Sequence, residues 1–240
     1  LAVVALSFVV WEILGHTVFD KDFISPPSAI ALALPRVLKD PAILWALALS
    51  FYQLVVAFVL ALIGGVLIGA AVGLKRFATK SLLPLILLAY SIPQVTILPL
   101  FVLWFGVDSA SKIAFGVSHG VFPVILNVIA GAQTVEDAHL TAARSMGASR
   151  WQVFRWVIFP HMIPSFFAGM RLGMTGVLIG VLLAELYVST AGIGYFTTLF
   201  TQNFDPTKLL GLISILAAMA IVLNEIVRRA EVHFGRWRTD

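Results

Sequence analysis

LWALALSFYQLVVAFVLALIGGVLIGAAVGL, residues 44–74, carries no charged side chain, and its polar side chains are Ser50, Tyr52 and Gln53. About 20 consecutive apolar residues are enough for a helix to cross the hydrocarbon core of a bilayer, roughly 30 Å thick. This run is longer than that minimum, so it predicts a spanning helix that tilts or protrudes.

The remainder of the 240 residues repeats the pattern. Candidate spans fall at 1–19, 44–74, 82–105, 110–132, 165–190 and 208–228. Residues 1–19 include Trp11, Glu12 and His16 and lack a basic leader and a small-residue cleavage site, which predicts a first span and not a signal peptide. The chain is 60% hydrophobic and 12% charged, with a mean hydropathy of +1.00. Soluble domains run at roughly 45–50% apolar and about 25% charged, so a water-soluble chain of this size could not hide this much apolar surface. The expectation is an all-α fold: a polytopic membrane helical bundle of about six transmembrane helices, one domain over 1–240, embedded in the lipid bilayer.

With no cysteine, disulfides and thiol chemistry are excluded. A net charge of +4 and a pI near 9.6 would suit nucleic acid in a soluble protein. In a membrane protein they read instead as Lys and Arg gathered in cytoplasmic loops, with no nucleic-acid partner. Placing both termini inside assigns Lys75, Arg76, Lys80, Arg144, Arg150, Arg155, Arg228, Arg229, Arg236 and Arg238 to the cytoplasmic side. The other side then receives Lys21, Arg36, Lys39 and Lys208, partly offset by Asp20, Asp22, Asp40 and Asp205.

Gly65, Gly69 and Gly73 share one helix face, as do Gly169 with Gly173 and Gly176 with Gly180. Small residues at this spacing let helices approach closely in lipid, which predicts packing within the subunit ahead of a subunit interface or a gate. Pro84, Pro93 and Pro99 in the third span predict kinks and a place inside the bundle or beside a cavity.

Ionisable groups in the spans are Glu12, His16, His119 and Glu185. Such groups are functional candidates, and Glu185, with Tyr187 after it, is expected to face water in a cavity near the outer surface. Gln94, Glu185 and Tyr187 are the candidate pathway-lining residues. The acids are too few and too shallow to favour an ion-coupled secondary transporter. Gly116-Val117-Ser118-His119-Gly120 matches a serine-hydrolase elbow, but that motif needs a strand-to-helix turn, and here it lies in an apolar span. An intramembrane hydrolase is therefore the remote alternative. There is no metal-ligand spacing and no phosphate-cradling loop, so no cofactor is expected in this chain, and any ATP must be bound by another polypeptide.

The long polar connector, 134–164, is locally specified. Thr134 is placed to cap a helix from Val135 to Met146, with Asp137 three residues on and Glu136 in the first turn. Gly147 sits where a left-handed C-terminal cap is wanted. Ser149 with Gln152 forms a capping box for a second short helix, which is expected to stop before Pro160. Trp151, Phe154 and Trp156 read as residues of the membrane interface, while the small face of Ala142 and Ala143 suits close docking of another protein.

The connector resembles the EAA loop of ABC importer permeases: E-A-A, three residues, Gly, nine residues, I-x-L-P. Here it reads Thr141-Ala142-Ala143, Gly147, Val157, Phe159 and Pro160, with Thr141 in place of the glutamate. Ile24-Ser25-Pro26-Pro27, Pro99 to Gly106, Ser111-Lys112-Ile113, Gly169-Met170-Arg171-Leu172 and Ala184-Glu185 are similar to the branch serving nitrate, sulfonate, taurine and pyrimidine precursors. The resemblance implies the type I ABC importer transmembrane domain. It also implies a permease homodimer in a bacterial inner membrane, two ATPase subunits that bind ATP and Mg, and an extracytoplasmic solute-binding protein. The residues it implies for ATPase coupling are Thr141, Ala142, Ala143, Arg144, Gly147 and Pro160, and this chain itself is non-catalytic.

Overall fold

A computed structural model describes residues 2–17 and 23–235. The expected features at Leu1, Phe19, Asp20, Lys21, Asp22, Arg236 and Arg238 lie outside the described residues. All regular elements among the described residues are helices: α1 Ala2–Thr17, α2 Pro27–Val37, α3 Pro41–Gly73, α4 Arg76–Ser91, α5 Leu98–Phe105 and α6 Ser109–Gln133. These are followed by α7 Asp137–Ser145, α8 Arg150–Val153, α9 Phe159–Val188, α10 Ile193–Gln202 and α11 Pro206–Gly235.

Among the described residues four apolar stretches are long enough to cross a membrane, Pro41–Gly73, Ser109–Gln133, Arg150–Val188 and Pro206–His233, or five when a bent helix pair is counted as one span. At 1.5 Å per residue the 33 residues of α3 reach about 50 Å, well beyond a bilayer core. The 16 residues of α1 reach about 24 Å, short of the roughly 30 Å core.

The expected span 82–105 is not one helix. Arg76–Ser91 and Gln94–Phe105 form a pair bent by 77°. Pro93 is the cause: it drives Ile92 to an extended φ −65°, ψ 128° and cannot donate a backbone hydrogen bond. A 3₁₀ turn, Gln94–Ile97, restarts the chain, and the Pro93 carbonyl accepts from both Thr96 N (3.0 Å) and Thr96 Oγ1 (2.7 Å). Pro84, by contrast, is carried inside α4.

The chain divides into two compact units: Leu1–Gln53 with Leu182–Ile221, and Leu54–Val181 with Val222–Asp240. In the first, Val37, Ile43, Ile193, Phe200 and Leu212 form a buried apolar cluster. Glu12 of α1 accepts from Ser28 N (3.0 Å) and Ser28 Oγ (2.5 Å) in the first turn of α2, and from His16 Nε2 (3.0 Å) when that nitrogen carries the proton. Glu12 is thus a helix cap supplied by another helix.

The second unit is held by helices packed through small residues. Gly65 and Gly69 of α3 lie against Val124 and Val128 of α6, Gly73 against Ile129, and Gly169 and Gly173 of α9 against Asn127 and Val124. The expectation of packing within the subunit holds for these faces. The hydrolase-like pattern has the same explanation. Gly116 meets Val181, and a Cβ on Gly120 would lie 2.3 Å from Val177 Cγ2 and 2.8 Å from the Gly173 carbonyl. Ser118 lies in mid-helix and donates to the Phe115 carbonyl (2.7 Å).

Candidate functional site

The first helix of the polar connector begins two residues later than expected. Thr134 does not start α7; its hydroxyl donates back to the Gly131 carbonyl (2.8 Å), and Thr134 is the C-cap of α6. Satisfying an orphan carbonyl of the preceding helix competes with capping the next one. The N-cap of α7 is Glu136, without a side-chain bond. Asp137, in the first turn, is paired with Arg76 at the start of α4. Gln133 Nε2 donates to the Gly73 carbonyl (2.7 Å), so the ends of α3 and α6 are tied beside the connector.

The end of α7 is as the sequence indicated. Gly147 has φ +78°, Gly147 N donates to Arg144 O (2.9 Å), and Ala148 N donates to Ala143 O (3.1 Å). This pair of bonds is the Schellman motif, which needs a left-handed residue at the position Gly147 fills. Two residues on, Ser149 N donates to Gln152 Oε1 (2.8 Å) and Gln152 N donates to Ser149 Oγ (3.3 Å). The two alanines diverge: Ala142 is exposed, whereas Ala143 is 6% exposed and turns inward. Thr141, Arg144 and Gly147 are exposed and Pro160 is half-buried. A groove of about 340 Å³ runs along Ala143, Met146, Gly147, Val153 and Trp156.

Pro160 does not end the second helix. Arg150–Val188 is continuous and apolar enough to span, because a π-helical turn, Phe154–Ile158, precedes the proline. Phe159 N bonds to Phe154 O, one residue further back than in an α-helix. The wider turn relieves the clash and the lost donor that a proline imposes on regular α geometry. Trp151 stacks on Phe154 with ring centroids 5.6 Å apart.

A second feature of the same unit opens where α4 breaks. A cavity of about 620 Å³ is lined by Tyr90, Ser91, Gln94, His119, Asn127 and Thr175 among others, and among the described residues no Asp, Glu, Lys or Arg lines it. Pro123 of α6 cannot bond the His119 carbonyl, and Gly176 of α9 approaches that oxygen so closely that an added Cβ would lie 2.6 Å from it. Of the polar groups here the sequence picked out Gln94 as a pathway residue. It missed Asn127 and Thr175, although His119 and Asn127 stand eight positions apart, two turns along one face of α6.

Glu185 and Tyr187 belong to the first unit. Glu185 does not face water: it is 0% exposed, accepting from Ser50 Oγ (2.5 Å) and Gly194 N (2.9 Å). Ser50 Oγ in turn accepts from Ile193 N (2.9 Å). The carboxylate and the serine thereby satisfy the first N–H groups of α10. Gly192 has φ +97°, and a Cβ there would fall 2.2 Å from Glu185 Oε1. Tyr187 is 71% exposed.

Long apolar helices, a span broken beside a polar-lined cavity, and a capped polar knob between two spans are the features of a helical membrane-embedded subunit. The chain belongs to the family of binding-protein-dependent transport system inner membrane components, whose model matches residues 61–239. It is similar to the taurine transport system permease protein TauC of Escherichia coli, at 28% identity over 96% of this chain and 86% of that one. Likewise it is 27% identical to a putative aliphatic sulfonates transport permease protein, SsuC, of Bacillus subtilis, over 98% of this chain and 86% of the relative. The formylaminopyrimidine transport permease protein ThiX of Halalkalibacterium halodurans is 25% identical over 97% of this chain and 93% of its own. The chain is therefore the non-catalytic permease subunit of an ABC importer, an inner membrane component that works with an ATPase and a solute-binding protein. A secondary carrier and an intramembrane hydrolase are set aside.

Proposed function

We propose that this permease imports a small solute of the sulfonate, nitrate, taurine-like or pyrimidine-precursor class, and that α7 is the lever by which a separate ATPase drives it. The transporter would contain two copies of this chain and two ATPase subunits that bind ATP and Mg, with both termini of each permease cytoplasmic and the solute delivered from outside. The observation that carries the coupling role is the Schellman-capped end of α7. It is a short rigid helix, stopped at Gly147 and immediately followed by the Ser149–Gln152 box, where a floppy loop would dissipate a push. Thr141, Ala142, Arg144 and Gly147 present the contact face, Ala143 supports it from within, and Pro160 stands just past the π turn through which displacement enters α9. Gln94 and Tyr187 line the route of the solute, and Glu185 fixes the turn beside Tyr187.

Two facts support this reading: the resemblance of the connector to an EAA loop, and names of relatives that fall in this solute range. A Gly147→Trp substitution tests it. No atom lies within 4 Å of a Cβ built at Gly147, so the bulk projects outward and obstructs docking, while the φ of +78° strains any other residue there. Gly147→Ala, which carries that strain without the bulk, is the control and should lose less uptake. In Gly147→Trp, uptake should fall at least about tenfold, as for a loss of roughly 1.4 kcal/mol, and less ATPase should co-purify, while the permease remains in the membrane. Unchanged uptake together with unchanged ATPase co-purification would falsify the coupling role.

A further inference from the structure

We infer that the cavity at the break between α4 and α5 binds a small solute carrying N–H donors, an amine or an aminopyrimidine, in preference to a simple oxyanion. This deepens the importer reading above and rests on it. At about 620 Å³ the space is within the usual range for small-molecule sites, about 300–1,000 Å³.

The argument is a count of hydrogens. Ser91 has one hydroxyl proton and donates it to the Leu87 carbonyl (2.8 Å). Thr175 commits its own to the Arg171 carbonyl (3.0 Å). Asn127 Nδ2 donates to the Pro123 carbonyl (2.9 Å), which fixes the amide orientation and leaves Oδ1 as an acceptor. His119 Nδ1 stands 3.1 Å from the Phe115 carbonyl. A carbonyl can only accept, so Nδ1 carries the proton, and Nε2 of the neutral ring keeps a lone pair.

Four groups around the cavity thus offer lone pairs. On the other side of the count stand the amide NH₂ of Gln94, the second N–H of Asn127, and the Tyr90 hydroxyl, which can act either way. Ser118 Oγ lies 3.3 Å from Gln94 Oε1 but commits its one proton to the Phe115 carbonyl (2.7 Å). Among the described residues no Lys or Arg lines the cavity. A sulfonate or nitrate brings only acceptors and would set lone pair against lone pair at most of these groups, leaving them unsatisfied wherever the bound solute displaces water. An amino group meets them with donors, while Gln94 takes the acceptor end of the same molecule, a sulfonate oxygen or a ring nitrogen.

The test uses the permease with its ATPase subunits in lipid nanodiscs, without the solute-binding protein, whose own selectivity would mask that of the membrane site. Two probe pairs are titrated, each differing at one amino group: 2-aminoethanesulfonate against ethanesulfonate, and 4-amino-2-methylpyrimidine against 2,4-dimethylpyrimidine. In at least one pair the amine should bind at least about tenfold more tightly, and the pair that does so identifies the source. Asn127→Leu with Thr175→Val should cut that preference to less than about twofold, and Thr175→Ser should restore part of it. Equal binding within both pairs, no saturable binding of either amine, or a preference that survives the double variant would overturn the inference. Binding-protein-stimulated ATP hydrolysis by the wild-type complex is measured alongside. Its absence counts against the importer reading, whereas its presence with equal probe binding overturns only the solute preference.

Discussion

The connector knob and the start of α10 solve one problem, how to satisfy the ends of short helices, by opposite means. Every cap of the knob is local: Gly147 to Arg144, Ala148 to Ala143, Ser149 to Gln152. At the start of α10 the ties are instead long-range: Ser50 accepts from Ile193 N across 143 positions and donates to Glu185 across 135, and Glu185 in turn accepts from Gly194 N nine positions on. A locally capped element keeps its shape when its surroundings shift, as a lever must. One capped from afar is fixed only when the fold around it is complete. Damage to the knob should therefore cost transport more than stability, and damage at Glu185 the reverse.

Four substitutions would break or sharpen that contrast. Glu185→Ala removes a carboxylate that is 0% exposed and leaves Ser50 and Gly194 N facing a void. The expected loss is about 3 kcal/mol, seen as a drop of several degrees in the melting temperature of the purified complex. Gly192→Ala places a Cβ against Glu185 Oε1 at a backbone conformation reserved for glycine, and should cost about 2 kcal/mol by the same melt. Ser149→Ala removes one arm of the capping box and should cost only about 1 kcal/mol. Its effect on uptake should nonetheless exceed that of an equally destabilising change in α10, a comparison made by plotting uptake against melting temperature. Arg76→Ala breaks an ion pair whose two side chains are 72% and 67% exposed. Such pairs are screened by water and contribute little, so the melt should not move, and a marked shift would show the knob to be anchored at α4.

Apolar length, the glycine faces and the caps at Gly147 and Ser149 were all readable along the chain, because each depends on side chains within a turn or two of one another. Thr134 was misjudged because it stands between two helices that both want its hydroxyl, and the finished helix won. Pro160 was misjudged because the rule against helix before proline assumes α geometry, and Phe154–Ile158 adopts a π turn. The position of the break at Pro93 could be foreseen; the 77° bend and the cavity beside it could not.

Hydrophobicity and local hydrogen bonding, properties of neighbouring residues, made this chain a bundle of membrane helices with a rigid polar knob. Which residues surround the cavity, and that Glu185 is a buried tie and not a water-facing acid, followed from folding. Those facts depend on residues far apart in the chain being brought together, and on where each hydroxyl and amide hydrogen is then committed.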